Sequence, residues 1–343
     1  MTSDLARRFL IIGGLPSPVG GVTVFNAQLV SLLASEGCSV TVLDRWRGLK
    51  VNVPDGVRHL ICPFSWRLPF EGWAVFRIVF SSFGPVVIHT SDVRGLVRAV
   101  PALLMRRKTY VFLHHGSVVD EGQSSVLNLV LRYVLPRLTK AIVVGQRQFD
   151  MLSRSGFCTK NVAIIQPFIA PPSSFPRLMA LSERRRVVVA SGYVQRYYNY
   201  EFAIKLAQSS DWDECRLYFY GQAHDAAYLA ELRSKDVGRK VRIFFDTDHE
   251  EFLQSVGECQ LLVRANLVDS FGIATWEALS LGTAVVASDV CDRAPGVFTF
   301  SAGSYEEFLL AVDNALQGGC VRFDPREAVT RNRLSLKKIL FGS

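Results

Sequence analysis

The stretch VDSFGIATWEALSLG, residues 268–282, sets two carboxylates, Asp269 and Glu277, on either side of a Phe-Gly pair. Burying an unpaired carboxylate beside so apolar a run is costly, so each acid implies a partner. The preceding CQLLVRA reads as a strand, and a helix begun near Ser270 would carry Glu277 on its inner turns. Such a helix start offers unpaired N–H groups at Ser270, Phe271 and Gly272, which suit a diphosphate or a sugar oxygen. One carboxylate can accept from two adjacent hydroxyls, so Asp269 in the loop suits a sugar and Glu277 in the helix suits a ribose diol. Plainer roles stand beside these: a turn former or N-cap for Asp269, and a structural ion pair for Glu277.

Three other places offer chemistry. GGVTVF follows the first strand, and its Gly20 and Gly21 allow close approach of a ligand at a helix start, or simply a tight turn. The spacing is not the GxGxxG of dinucleotide enzymes, because Gly13 and Gly14 run into Leu15-Pro16 and the second pair comes late. FLHHGS puts His114 and His115 after an apolar strand, and two-residue alternation lets only one of them face a crevice. The other belongs to the core. Arg196, in ASGYVQRYYNY, and Arg264, at the end of CQLLVRA, are strand-end cations. Arg264 can instead be the structural partner of Asp269 or Glu277, and Arg196 can equally be a solvent-exposed loop residue.

The elements that position these residues are short β-branched runs alternating with helical segments. RFLII, SVTVLD, VRHLICPF, PVVIHTS, TYVFLHHG, AIVVGQ and VAIIQPF form a first series, the later ones each ending in turn or polar residues, and RVVVASGY, CRLYFYG, VRIFF, CQLLVRA and TAVVAS a second. Nearly continuous apolar strands alternating with helices mean parallel sheets covered on both faces, with ligands at the strands' carboxyl ends. The stretch IAPPSSFPRLMALSERRR, residues 169–186, breaks the rhythm with prolines and serines. The expected organisation is therefore an α/β chain of two facing, doubly wound Rossmann-like domains. They span residues 1–168 and 187–322, with a linker at 169–186 and a tail at 323–343 that can cross back to the first domain.

The chain has 343 residues, 49% hydrophobic and 20% charged, ample for two cores. Its seven cysteines are scattered singly, which argues against a zinc site or disulfide framework and fits a reducing cytoplasm. The first apolar run is too short for a signal-peptide core and reads as a strand. Residues 1–170 hold 19 Lys and Arg against 9 Asp and Glu, whereas residues 171–343 hold 20 against 22. A basic first half suits an anionic partner such as a phospholipid surface, or is simply a well-solvated surface.

Against that background, VRANLVDSFGIATWEALSLGTAVVASDVCDRAPG resembles the donor-site signature of the retaining GT-B glycosyltransferases of family 4, and in particular a bacterial branch with an Arg five residues before the first acid. The early Gly-Gly, the His-Gly after a strand and IIQPFIAPP fall where that family places corresponding elements. The resemblance implies a GT-B fold and transfer of a sugar, with retention, from a nucleotide diphosphate sugar to a glycan or lipid-linked acceptor in cell-surface polysaccharide or lipopolysaccharide synthesis. It implies Glu277 on the ribose, Asp269 on the donor sugar, amides near Ser270, Phe271 and Gly272 beside it, and Gly20 and Gly21 on the donor phosphates or acceptor. His115 matches the family's histidine near the reacting centre.

One departure is large. Where the family has an Arg and, six residues on, a Lys that neutralise the leaving diphosphate, this chain has Tyr193 and Asn199. Arg196 and Arg264 are the candidate replacements. The expectations are thus no obligatory metal or other cofactor, no nucleic-acid partner, and a cytoplasmic chain held peripherally on the inner face of the plasma membrane. Two rivals share the fold: a sugar-nucleotide epimerase or phosphorylase, and a non-catalytic protein that binds a glycan or a partner.

Overall fold

The computed structural model describes residues 7–16, 20–45, 53–63, 67–80, 83–91, 93–114, 125–169, 180–209, 211–221, 225–235, 240–317 and 325–342. They fall into two compact units, the first within Met1–Pro18, Val22–Ile169 and Asn332–Ser343, the second within Val19–Gly21 and Ala170–Arg331. The linker expected at 169–186 lies largely outside the described residues.

The first unit is built on a seven-stranded parallel sheet. Its strands are β1 (Arg8–Ile12), β2 (Ser39–Asp44), β3 (Val57–Ile61), β4 (Val86–Thr90), β5 (Thr109–Leu113), β6 (Lys140–Val143) and β7 (Val162–Ile164), in the order β3-β2-β1-β4-β5-β6-β7. Alternate residues serve opposite faces. Leu10, Ile12, Val86, Ile88, Val111 and Leu113 join one core with Phe70, Ala74, Ile78, Leu96, Leu131 and Val134. On the other face Phe112 meets Phe25 of α1 (Gly21–Ser35), and Phe9 meets Phe341 edge to face. Gly37 ends α1 at φ +74°, its amide donating to the Ala34 carbonyl while Cys38 donates to Leu33, a Schellman-type stop that needs glycine's freedom.

On the first face, RGLVRAVPALLMRR, residues 94–107, reads as helical in the sequence but forms a 3-10 turn, Val93–Arg98, followed by α2 (Ala99–Leu104). Pro101 has no N–H to return to the Val97 carbonyl, so an α-helix cannot run through that turn. The helix Pro325–Phe341 returns its end to the first unit. There Asn332 donates to the Phe168 carbonyl (3.1 Å), Tyr110 Oη to that of Leu340 (3.3 Å), and Lys337 pairs with Glu36.

The second unit carries a six-stranded parallel sheet of β8 (Arg185–Gly192), β9 (Glu214–Phe219), β10 (Val241–Phe245), β11 (Cys259–Arg264), β12 (Ala284–Ser288) and β13 (Phe298–Phe300). The order β10-β9-β8-β11-β12-β13 is that of a doubly wound nucleotide fold, with its reversal point between β8 and β11. Arg264 ends β11, so the loop carrying Asp269 leaves the sheet at that reversal point.

Candidate functional site

The sharpest electrostatic feature of the second unit is a largely enclosed Arg–Asp–Arg cluster, its side chains 4–10% exposed. Arg264 donates from Nε and Nη2 to the two oxygens of Asp269, both at 3.0 Å. Arg293 donates from Nη1 to Asp269 Oδ2 at 2.7 Å and from Nε to the Ser288 carbonyl at 2.9 Å. The Ser270 amide donates to Asp269 Oδ1 at 2.9 Å. Burial alone would raise the Asp269 pKa, but the two guanidinium groups outweigh it and hold the carboxyl well below the ordinary range. Burial likewise works against the charge on Arg264, and Asp269 more than offsets it. The cluster keeps one net positive charge. Arg264 Nη1 donates to none of the described residues. Arg293 closes the VVASDVCDR run of the family-like stretch, where the sequence reading assigned it no role.

This cluster also explains where the next helix begins. The expectation was a start near Ser270, but α-helical geometry begins at Ile273, in the helix Ile273–Ser280, with Gly272 as its left-handed N-cap at φ +71°. Asp269 is drawn back onto its arginines, and the chain needs a left-handed residue to turn into the helix. A Cβ at Gly272 would lie 2.9 Å from Arg293 Nη1, 3.2 Å from Arg264 Nε and 3.3 Å from Asp269 Oδ2. Gly272→Ala is therefore expected to cost about 1–3 kcal/mol of stability, the strain of a left-handed non-glycine residue plus displacement of the guanidinium groups. Urea unfolding reads this, and an unchanged midpoint would show that the loop relaxes freely.

Glu277 lies one turn further on, in a helix whose side chains from Thr275 to Ser280 are all buried. Its Oε1 sits 2.8 Å from His249 Nε2, at the first residue of the helix His249–Glu258. Burial would depress the His249 pKa, but the adjacent Glu277 carboxylate overrides it and the imidazole is held above its ordinary value. The other oxygen, Glu277 Oε2, has no partner among the described residues. A buried carboxylate with one oxygen unused is placed to accept from a ligand. Phe271, also buried, stacks on Trp276 at 5.5 Å and fixes the loop over the helix.

Arg196 is placed differently. Its side chain is 60% exposed and pairs with Glu231 at 2.8 Å and, more loosely, Asp225 at 3.9 Å, with its guanidinium 5.0 Å from the centre of the Tyr228 ring. The structure does not bring it to the Asp269 cluster. The neighbouring tyrosines go there instead: the Leu267 amide donates to the Tyr197 carbonyl at 2.7 Å, and the Tyr198 ring lies 6.0 Å from the Arg264 guanidinium. Tyr197, Tyr198 and Tyr200 stack in series, and burial raises all three phenols. Asn199, at the position of the family's lysine, is left-handed at φ +50°.

Gly20 precedes and Gly21 opens α1; both group with the second unit, and the rest of α1 with the first. His115 lies outside the described residues. His114 is in the core, its Nε2 2.9 Å from Nδ1 of His89, which ends β4 with Thr90. Burial, then the neighbouring His114, pushes the His89 pKa well down, so His89 is neutral. A cavity of about 260 Å³ opens at the carboxyl ends of β1, β2 and β4, lined by Gly13, Gly14, Val22, Asp44, Arg45, Phe70, His89, Thr90, Ser91 and Arg98. Asp44 is anchored there by the Leu15 amide (3.0 Å) and His59 (3.1 Å). Of this lining only Gly13 and Gly14 stood out in the sequence, as part of a glycine-rich turn, although Asp44 and His89-Thr90-Ser91 are polar groups at the ends of apolar strands. Among the described residues, no group of three or more His, Cys, Asp or Glu side chains is placed to hold a metal ion, and no helix is long and apolar enough to cross a membrane.

Two Rossmann-like parallel sheets carrying strand-end sites of this kind define a GT-B-like fold, and known structures agree. Sucrose-phosphate synthase from Thermosynechococcus elongatus superposes with a TM-score of 0.79 at 15% identity, covering 98% of each chain. HepE from Anabaena, solved with UDP and glucose, gives 0.74 at 15% identity over 98% of this chain and 99% of its own. The lipopolysaccharide outer core galactosyltransferase WaaB gives 0.62 at 11% identity over 98% and 99%. Residues 177–300 match the family described as Glycosyl transferases group 1, and residues 19–171 match Glycosyltransferase Family 4. The chain is a GT-B-fold glycosyltransferase related to these families. No curated protein matches it.

Proposed function

We infer that this glycosyltransferase is a retaining enzyme that takes its sugar from a nucleotide diphosphate sugar bound by the second unit. The acceptor is a glycan or lipid-linked glycan of cell-surface polysaccharide or lipopolysaccharide synthesis. The observation that carries the donor reading is Glu277, buried, tied through Oε1 to His249, and with Oε2 left to accept from a ribose hydroxyl. HepE, of similar fold, holds UDP and glucose. The Asp269 cluster brings Arg264 Nη1, with net positive charge behind it, to the loop that opens the helix carrying Glu277. That is the right charge for a diphosphate. In the reaction the bond from the anomeric carbon to the diphosphate oxygen breaks, the acceptor oxygen bonds to that carbon from the same face, and the acceptor proton leaves on the diphosphate. The polar cavity of the first unit, with Asp44, Thr90 and Ser91 on its wall, suits a polyhydroxylated acceptor.

Glu277→Gln tests this. The expected result is a loss of about 1–3 kcal/mol in nucleoside diphosphate affinity, the range for a charged hydrogen bond, with the fold intact and a lower His249 pKa by NMR. A lower His249 pKa with unchanged affinity would mean that the pair is structural only. A thermal-shift screen of UDP-, GDP-, ADP- and dTDP-sugars names the base, because stabilisation grows with occupancy. One observation favours the non-catalytic rival: both candidate replacements for the missing clamp are engaged by acids, Arg196 by Glu231 and Arg264 by Asp269. Tight binding of a donor without turnover on any acceptor would put that reading first.

A further inference from the structure

The helices that cover one face of the first sheet are apolar on their inner side, as a core requires, and also on their outer side. The helix Arg67–Phe80 turns Phe70, Ala74 and Ile78 inward, at spacing four. Its outer side carries Phe76, 56% exposed, and Phe80, 74% exposed, with the two rings 4.9 Å apart. This helix packs against α2, whose end presents Leu104 at 71% and the exposed Met105. The turn Val93–Arg98 adds exposed Val97 and packs against the helix Ser125–Val134, which exposes Leu129 at 68% and Tyr133. A helix that is apolar all round does not face water alone.

Charge points to the occupant. Residues 67–80, 93–108 and 125–140 together hold ten of the nineteen Lys and Arg of the first 170 residues, but a single acid, Glu71. Glu71 is already paired with Arg98 at 2.6 Å. Arg106, Lys108, Arg132 and Arg137 are exposed in these segments, and the Arg137 guanidinium lies 4.0 Å from the centre of the Tyr133 ring. Exposed apolar side chains in the same segments as exposed cations, with no unpaired carboxylate among the described residues of these three segments, match the boundary between lipid headgroups and acyl chains. A second protein surface would need acids to meet the cations, and another copy of this face brings only more cations.

We propose that this face, centred on Phe76, Phe80 and Leu104, docks the enzyme on an anionic phospholipid bilayer by combining shallow insertion with charge attraction. Its use in presenting a lipid-linked acceptor rests on the function proposed above, whereas the binding itself does not. The test is co-sedimentation of the full chain with phosphatidylglycerol–phosphatidylcholine vesicles, against phosphatidylcholine vesicles alone. Binding is expected to the anionic vesicles and to fall about tenfold between low and high salt, since each headgroup contact is screened. The double variant Phe76→Ser/Phe80→Ser should lose roughly tenfold or more at low salt, and Lys108→Glu/Arg132→Glu a similar factor, while circular dichroism and nucleotide affinity stay at wild-type values. Because nucleotide binding and transfer to a soluble acceptor are read separately, failure of docking and failure of the transferase reading are distinguishable. Vesicle binding that is absent, equal on neutral vesicles, or unmoved by Phe76→Ser/Phe80→Ser overturns the proposal. So does a dimer in sedimentation equilibrium that those substitutions dissociate.

Discussion

Asp269→Ala is expected to destabilise the second unit by about 3–5 kcal/mol, the penalty for leaving a buried ion-pair partner uncompensated. Asp269 is the one acid between two largely enclosed arginine side chains, Arg264 and Arg293, and its removal leaves two like charges facing each other. Urea unfolding followed by tryptophan fluorescence reads the loss, since Trp276 is fully buried in the adjoining helix. If charge is the cause, Asp269→Ala with Arg264→Met should recover part of the stability, because the second change removes one stranded cation. A loss below about 1 kcal/mol, the worth of an exposed pair, would refute the account. The same group fixes a pH dependence. Its folded-state pKa is depressed, so its contribution is full above the unfolded value, about 4, and drains away as pH falls below that towards the folded value. Asp269→Ala should flatten this part of the acid limb.

The inner strands could be read from the sequence because they are buried on both faces and therefore written as unbroken apolar runs, whereas the half-exposed β10 was legible by its aromatic and β-branched residues and the three-residue β13 was not. SVTVLD and VRIFF even match the observed bounds of β2 and β10. The helix Arg67–Phe80 was not legible, since its outer face is as apolar as its inner face and Pro69 and Gly72 break its pattern. In the helix Gln146–Arg154 the obstacle was length, with only nine residues between two strands. At the candidate site the acids and the nearby glycine stood out by type and spacing. What could not be read was partnership. Arg293 meets Asp269 from 24 residues away, and His249 reaches Glu277 from 28 residues on the other side. Only the sheet order, which sets β11 between β8 and β12, brings such groups together.

The second large effect is expected on turnover at Arg264. Two phosphates leaving into a partly dehydrated site need a preorganised cation, and its removal generally costs about 2–4 kcal/mol in the transition state. Arg264 is the better placed of the two candidates. It is largely enclosed, held by Asp269 through Nε and Nη2, and keeps Nη1 for a ligand, while Arg293 shares the neutralisation of Asp269. To reach the same ligand, Arg196 would have to leave Glu231 and Asp225. Arg264→Lys keeps a charge beside Asp269 but loses the planar fork, so the carboxylate is not stranded and the fold should survive. Once a donor and acceptor are identified, Arg264→Lys should lower kcat by about 30- to 1000-fold, with a smaller change in nucleoside diphosphate affinity, the pattern of an interaction made in the transition state. Arg196→Ala should cost less. Equal losses in kcat/KM and in nucleotide affinity would assign Arg264 to ground-state binding. Wild-type turnover in Arg264→Lys, with an unchanged melting temperature, would mean that some other cation meets the diphosphate. A larger loss in Arg196→Ala than in Arg264→Lys would return that role to the exposed arginine and require it to break from Glu231 when the donor binds.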